Sequence, residues 1–266
     1  MSDWHSFDGV AEVYERVQAP RLASPARDLV ALAGPPPGGR VLDVGTGTGV
    51  AAQAAAEALG PGGLAIGADV SLGMLTVARR VRPAIPLVAA TAIDLPFRNG
   101  TFDAVTANFV LAHFTNFKTA LADMIRVLRS GGRLAVSAWS DSRDDLSDAW
   151  NEMLESVVPR EMLESMRKEA SPGSERFRDR EKLEDALRDA ELNHVRTEPR
   201  EYRFTYSLDD YVAGMEVWAS ARFVHEMLGE DGWRSFHANV RKVFGERFSD
   251  PLNDFRYVLL GVGTRP

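Results

Sequence analysis

Between Arg40 and Trp139 the sequence alternates between short aliphatic runs and longer runs with helical spacing. Arg40–Val44, Leu64–Asp69, Ile85–Ala90, Phe102–Phe109 and Arg133–Trp139 read as strands. Val50–Leu59, Leu72–Val81 and Lys118–Leu128 read as helices, the last with Leu121, Met124, Ile125 and Leu128 at i, i+3, i+4 and i+7. GPGG after Leu59 and Ser130-Gly131-Gly132 supply the turns. Strands alternating with helices in this way build right-handed crossovers and a parallel sheet covered on both faces. The predicted class is therefore α/β, doubly wound.

The flanks differ. Residues 5–20 read as an amphipathic helix that ends before Pro20, and PARDLVALAG as a second helix stopped at Gly34. Residues 141–170 are charged and helical, with Trp150, Met153, Leu154 and Val157 on one stripe, followed by a polar break at SPGSERFRDR. Glu181–Ala190 is a predicted helix, and a strand follows near His194–Glu198 or Tyr202–Tyr206. Residues 208–248 read as two helices separated by GEDG, and Phe255–Gly261 as a final apolar strand.

Composition narrows the chemistry. The formal net charge of −7 over 266 residues disfavours a general nucleic-acid binder, which carries a basic face. The absence of cysteine excludes disulfides, thiolate nucleophiles, Cys-ligated zinc and Cys-held iron–sulfur clusters. His5, His194, His225 and His237 show no metal-ligand spacing, so no metal site is expected. The polar N-terminus has no signal core and no apolar run is long enough to span a bilayer, so a cytoplasmic protein is expected.

The ligand signal lies in VLDVGTGTGV, where the first strand runs into the first helix. Gly45-Thr46-Gly47-Thr48-Gly49 places its third glycine one residue too early for the dinucleotide fingerprint, with Val50 at the fingerprint position. No Gly-Lys-Ser/Thr follows, so it is not a phosphate loop either. The glycines still allow a ligand close to the backbone. Asp69, ending the second strand, can accept hydrogen bonds from both hydroxyls of a free ribose and would repel a 2′-phosphate. Met74 follows within a helical turn, where it can pack on a base. His113 follows the fourth strand, at the sheet edge that faces the ligand crevice, and is a candidate general base.

Taken in order, VLDVGTGTGV, GADVSLGML, ATAIDLPFRNGTFDAV, NFVLAHF and DMIRVLRSGGRLAVSAW resemble the class I S-adenosylmethionine-dependent methyltransferases, in the group of quinone-biosynthesis and natural-product enzymes. The resemblance covers roughly residues 38–140. It implies a Rossmann-like fold with a seven-stranded, mostly parallel sheet, its last strand antiparallel and matched by Phe255–Gly261, with extra helices forming a cap. It implies S-adenosyl-L-methionine as cofactor, its methionine part held by the backbone of the motif that Asp43, Gly45, Thr46 and Gly47 match, with Asn108 and Phe109 at the strand-four end beside it. It implies Asp69, with Val70 beside it, at the ribose, Met74 on the adenine, and Ala92 and Ile93 at the adenine edge. Thr91 stands where many relatives have an acid, so a carboxylate contact to the adenine amino group is not implied. Tyr14 lies where an N-terminal helix covers the cofactor, and Tyr14, His113 and Trp139 are the substrate-side candidates.

The expected division is residues 1–36 as N-terminal helices over the cofactor site and 37–140 as the cofactor-binding core. Residues 141–180 form a helical cap insertion, and 181–266 complete the sheet with a helical insertion at about 208–248. The expected activity is methylation of a small, apolar or aromatic molecule on oxygen, nitrogen or carbon, by a monomer or homodimer without nucleic-acid or membrane partners. Asn108-Phe109-Val110-Leu111 lacks the Asn/Asp-Pro-Pro-Tyr signature of adenine or glutamine nitrogen methylation, and without cysteine the covalent route to cytosine carbon-5 is closed. The alternatives are a protein of the same fold with a non-methylating activity such as a cyclisation, and a nicotinamide-dependent oxidoreductase.

Overall fold

A computed structural model describes residues 7–140 and 144–266. The start of the helix expected from residue 5, and residues 141–143 of the expected cap, lie outside them. The aliphatic runs form β1 (Arg40–Val44), β2 (Leu64–Asp69), β3 (Leu87–Ala89), β4 (Phe102–Asn108) and β5 (Leu128–Trp139). Later strands are β6 (Asn193–Tyr206) and β7 (Leu252–Thr264). Together they make one seven-stranded sheet in the order β3-β2-β1-β4-β5-β7-β6. β1 to β5 pair in parallel, and β7 is antiparallel to both β5 and β6, as expected of the last strand.

The crossovers are α3 (Val50–Leu59), α4 (Leu72–Val81) and α5 (Phe117–Val127), preceded by α1 (Ala11–Val13) and α2 (Ala19–Ala33). α3 and α2 pack on one face of the sheet, where Ala51, Ala55 and Leu59 meet Leu29, Val30 and Val41. α5 covers the other, with Leu121, Met124 and Val127 against Leu42, Val105 and Leu134. Strands buried on both faces explain why they read as continuous aliphatic runs. The chain runs β1 to β3 outward one way and continues from β4 the other way. The crevice at the β1/β4 reversal, beyond the strands' C-terminal ends, is where such sheets bind ligands.

The remaining helices are α6 (Asp145–Glu155), α7 (Arg160–Ala170), the one-turn α8 (Ser174–Phe177), α9 (Arg180–Asp189), α10 (Leu208–Met215) and α11 (Ala219–Arg247). Trp150, Met153 and Leu154 of α6 pack with Phe236, Val240 and Phe244 of α11, and Trp150 meets Phe236 edge-on. α11 is broken at Gly229, whose φ of 65° and ψ of 177° are not helical; this glycine opens the GEDG run that the sequence marks as a separator. A second break, at 216–218, was not foreseen.

Several expected boundaries are corrected. The N-terminal helix does not end before Pro20, and PARDLVALAG is not a separate helix. A turn of π-helix at Tyr14–Gln18 leads into α2, with the Ala19 N–H donating to the Tyr14 carbonyl. Pro20 then lies just after the π-turn, at the start of α2, and the helix continues through it. Pro25 is tolerated inside α2 because Leu22, Ala26, Leu29, Val30 and Ala33 are all buried along that helix. The two alternative positions for a strand after residue 190 are one strand. It passes through Pro199, which β6 accepts because it is the edge strand of the sheet. Ser130–Gly132 is an irregularity within β5, between the pairs Phe102↔Leu128 and Ala104↔Arg133. The polar break contains α8, whose Phe177 is buried. Val157 leaves the Trp150 stripe, being 39% exposed beyond the end of α6.

Where α2, α6 and β7 meet, four charges are held together. Asp254 lies between Arg21 (3.2 Å) and Arg256 (3.1 Å), and Arg256 also reaches Asp144 (3.2 Å). Arg21 stacks over the rings of Phe204 and Tyr206 at 4.7 and 4.6 Å. Burial, together with the hydrogen bond to Asp144, pushes the Asp254 carboxyl up to about 7. Burial would raise Asp144 as well, but the bond from Asp254, the Ser147 N–H and Arg256 bring it below its ordinary value. Asp254 is thus the proton donor of an acid pair. Its stabilising contribution is complete below about pH 4, the unfolded value, and is lost as pH rises through about 7. Asp144 acts with the opposite sign, and its contribution is lost as pH falls. Asp254→Asn keeps the donor form at every pH. Melting temperatures by circular dichroism from pH 4 to 8 should decline with pH in the wild type and flatten in Asp254→Asn. An equally steep decline in the variant would place the effect elsewhere.

Candidate ligand site at the glycine loop

Gly45, Gly47 and Gly49 all have positive φ (69°, 54° and 93°), which lets the chain turn from β1 into α3 within five residues. The loop is tied to β2 by the Gly45 and Thr46 N–H groups, both donating to the Ala68 carbonyl. The first two glycines serve different ends. A Cβ on Gly45 would lie 2.3 Å from a Val110 methyl, so that position is closed by the protein itself. A Cβ on Gly47 would meet only the Tyr14 ring, at 3.9 Å, so that backbone is open to a ligand.

Asp43 faces inward. Its carboxylate accepts from Thr46 Oγ1 (2.6 Å) and Thr106 Oγ1 (2.8 Å), and burial pushes it up to about 6 against these bonds. Asp43 and Thr46 are a buried brace for the loop and do not line the cavity described next.

A cavity of about 720 Å³ opens above the C-terminal ends of β1, β2 and β4, within the range that encloses a small molecule. Of the residues singled out from sequence, Tyr14, Gly45, Gly47, Asp69, Val70, Met74, Ala92, Asn108, Phe109, His113 and Trp139 line it. Thr91 and Ile93 do not. Thr91 Oγ1 accepts from the Ile93 N–H in a local turn, and Ile93 is 50% exposed.

Asp69 is the best-placed acid. One carboxylate oxygen accepts from the Gly47 N–H (2.7 Å), the other from the Ser71 N–H (2.9 Å). Burial raises its carboxyl, and these two N–H bonds oppose the rise. A carboxylate has about four acceptor sites, so two remain for a vicinal diol, and the side chain is already oriented. The open backbone of Gly47 and this acid together fit a ribose-bearing ligand.

Beside Asp69 the N-terminal segment is clamped to α4. Asp8 accepts from Ser71 Oγ (2.5 Å) and the Gly73 N–H (2.8 Å) at the start of that helix. Gly73 is needed there, because a Cβ would lie 2.6 Å from the Asp8 backbone. Glu12–Arg80 and Glu15–Arg82 continue the seam at 2.5 and 2.9 Å. The seam places Tyr14 over the glycine loop. Its phenol is raised by burial and by the negative charges of Asp69 and Asp43.

The opposite wall is aromatic. Phe109 adopts φ 57°, a conformation uncommon for a bulky side chain and frequent at functional sites. Its N–H donates to Ser137 Oγ (2.9 Å), which itself donates to Asn108 Oδ1 (2.7 Å). The turn stacks the Phe109 ring on Trp139, with centroids 4.1 Å apart and planes at 21°. Trp218, between α10 and α11, and Arg167 and Ala170 of α7 also line the cavity. Sequence reasoning missed Phe7, Asp8 and Gln18, whereas Trp218 is one of the later-helix aromatics that it marks as core or pocket lining. The three that it missed arrive through contacts between distant segments, which no local pattern announces. Among the described residues there is no cluster of His, Asp or Glu able to hold a metal, and no helix is long and apolar enough to cross a membrane.

Comparisons with known proteins agree with this geometry. Residues 42–136 match the family described as methyltransferase domain. The demethylmenaquinone methyltransferase of Renibacterium salmoninarum is 46% identical over 115 residues, which are 43% of this chain and 47% of that protein. That of Symbiobacterium thermophilum is 36% identical over 137 residues, 48% and 55% of the two chains. The chain thus spans about half the length of the curated relatives it matches. Among solved structures, the Haemonchus contortus phosphoethanolamine N-methyltransferase 2 complex with S-adenosyl-L-methionine superposes with a TM-score of 0.58 at 17% identity, covering 97% of this chain and 57% of that one. A SAM-dependent methyltransferase from Aquifex aeolicus gives 0.56 at 14% identity, covering 96% and 97%. At such identities these structures speak for the fold alone. Residues 42–136 are thus similar to the methyltransferase domain family, on a sheet order that the solved methyltransferase structures share, with demethylmenaquinone methyltransferases among the relatives that the chain matches over about half their length.

Proposed function

We propose that the chain binds S-adenosyl-L-methionine in this cavity and transfers its methyl group to a small, apolar or aromatic molecule. The observation that carries the reading is Asp69, fixed by two backbone N–H groups beside the open face of Gly47. In this reading Asp69 takes the ribose hydroxyls, Met74 and Ala92 flank the adenine, and Gly45, Gly47 and Asn108 lie along the methionine part. Val70, Thr91 and Ile93 belong to the outer rim of the adenine side. Asp43 and Thr46 act from behind the loop. Phe109, Trp139 and Tyr14 enclose the methyl group and the acceptor. The bound cofactor would supply a methyl group already activated on a sulfonium. The chain's own task is then to align the acceptor and exclude water, which is worth about 7–11 kcal/mol when reacting atoms are held in near-attack geometry.

The division of labour follows the lining residues. Residues 1–36 close the donor side through Phe7, Asp8 and Tyr14, and 37–140 bind the donor. Residues 141–180 and about 208–248 contribute Arg167, Ala170, Phe177 and Trp218 and select the acceptor. The similarity to demethylmenaquinone methyltransferases spans less than half of this chain, so their acceptor is not carried over with it. The same reading has the protein work in the cytoplasm, as a monomer or homodimer. It has no nucleic-acid partner, which the net charge of −7 disfavours.

The test is incubation of the purified chain with S-adenosylmethionine and a panel of phenols, quinols, aromatic amines and aromatic acids. S-adenosylhomocysteine and methylated product are followed by mass spectrometry. Acceptor-dependent formation of both is expected. Cofactor binding with an unmethylated, rearranged product would favour a non-methylating activity, and binding of NAD in preference would overturn the donor assignment.

A further inference from the structure

The cavity above the glycine loop is electrically two-sided. The acids that line it, Asp8 and Asp69, both lie on the donor side, at the start of α4 and the end of β2. The cap adds two charged groups to the lining, Arg167 and Arg178, and among the described residues it adds no acid. This cationic wall stands in a chain whose net charge is −7.

The fold holds both arginines in place. The Gly173 N–H donates to the Ala112 carbonyl (2.9 Å), which draws the α7–α8 connection onto the 3-10 turn Leu111–His113 after β4. The Ala170 carbonyl and Ser171 Oγ each lie 3.2 Å from His113 Nδ1, so the last turn of α7, which carries Arg167, is fixed against the same turn. Arg178 directly follows α8. Its N–H donates to the Ser174 carbonyl (3.2 Å), and its own carbonyl accepts from Ser140 Oγ (3.4 Å). The Arg167 guanidinium donates to Asn151 Oδ1 (2.7 Å), which orients its fork. A guanidinium carries five N–H donors, so it can keep such a partner and still hold a carboxylate. Arg222 of α11 adds a third cation to this end. It lies over the Phe7 ring at 5.0 Å, and Phe7 packs edge-on against the His113 imidazole at 5.7 Å. Burial lowers the His113 pKa, and the Arg222 charge lowers it further against the bond to Ala170. His113 is therefore neutral at neutral pH, and the arginines set the sign of this end.

We propose that the methyl acceptor is an aromatic acid, with its carboxylate on the Arg167–Arg178 wall and its ring against the Phe109–Trp139 stack. The inference rests on the methyltransferase reading and narrows its substrate class. A planar guanidinium matches a carboxylate with two parallel N–H···O bonds, stronger and more directional than bonds to a neutral group. The two walls then read different parts of the ligand. Phe109 and Trp139 set the plane of the ring, and the cap arginines select for its charge. The arginines determine specificity and take no part in the transfer itself.

Two probes of the same shape test this, 2-naphthoate and 2-naphthamide, titrated into the full-length protein at neutral pH and followed by ligand-observed NMR. The naphthoate should bind at least about tenfold tighter, a difference of about 1.4 kcal/mol, close to the lower end for a hydrogen bond to a charged group. Arg167→Gln combined with Arg178→Gln should abolish that advantage and leave naphthamide binding unchanged, whereas a damaged cavity would weaken both probes alike. Arg178→Gln alone, at an exposed position, should already reduce the preference. Equal affinities in the wild type, no naphthoate binding at millimolar concentration, or an undiminished preference in Arg178→Gln or the double variant would overturn the proposal. Saturating S-adenosylhomocysteine should leave the preference in place. One-for-one displacement of naphthoate by it would mean that the arginines hold the donor's own carboxylate, and would overturn the proposal as well. A preference found in a protein that binds no S-adenosylhomocysteine would leave the carboxylate seat standing and remove the donor assignment instead.

Discussion

Asp69→Ala should weaken S-adenosylmethionine binding by about 100-fold or more. Two hydrogen bonds from the ribose to a charged carboxylate, at about 1.5–3 kcal/mol each, supply at least about 3 kcal/mol, and 1.4 kcal/mol is a factor of ten. The variant also removes the acceptor for the Gly47 and Ser71 N–H groups, so the loop loses the brace that holds it open. Asp69→Asn should fall between, because its amide oxygen still accepts while its NH₂ group faces a donor. Calorimetric titration checks this, with far-UV circular dichroism showing the fold intact. An Asp69→Ala affinity within about threefold of wild type, a loss under about 0.7 kcal/mol, would remove Asp69 from the ribose site.

The second large effect separates two glycines that look alike in sequence. Gly45→Ala should destabilise the fold by about 2–5 kcal/mol: about 1–2 for an L-residue at φ 69° and about 1–3 for forcing its Cβ against Val110. That is a large share of the roughly 5–15 kcal/mol by which domains are stable. Val110→Ala in the same chain should restore part of it, since the three atoms that a Gly45 Cβ meets all belong to Val110. Gly47→Ala should lose only the conformational part in urea denaturation, yet bind the cofactor poorly, because its new methyl points into the cavity. If both variants lose stability equally while keeping affinity, the open face of Gly47 has no ligand on it.

The core was legible because burial on both sides makes its strands uniform. Arg40–Val44, Val50–Leu59, Leu64–Asp69 and Leu72–Val81 have the bounds that the periodicity predicts. Where tertiary contacts decide, the sequence misleads. Pro20 and Pro25 signal breaks, but the buried face of α2 and the π-turn before it keep one helix running. Pro199 splits a strand on paper and sits within one in space, because an edge strand needs no N–H on its open side. The site divides in the same way. Gly47 and Asp69 were recognisable from a local pattern joined by one sheet crossing. Asp8 was not, since it caps α4 from 63 residues away. Asp43 shows a further limit: the pattern marks it as part of the glycine-loop motif, and only the fold shows Thr46 and Thr106 taking up its carboxylate.

The most direct measurement is calorimetric binding of S-adenosylhomocysteine to the full-length protein, with NAD under the same conditions and Asp69→Ala as control. Saturable binding of one S-adenosylhomocysteine per chain, lost in the variant, with no heat from NAD, is the predicted result. No binding of S-adenosylhomocysteine by a folded protein, or equal binding of NAD, would contradict the donor site on which the account depends.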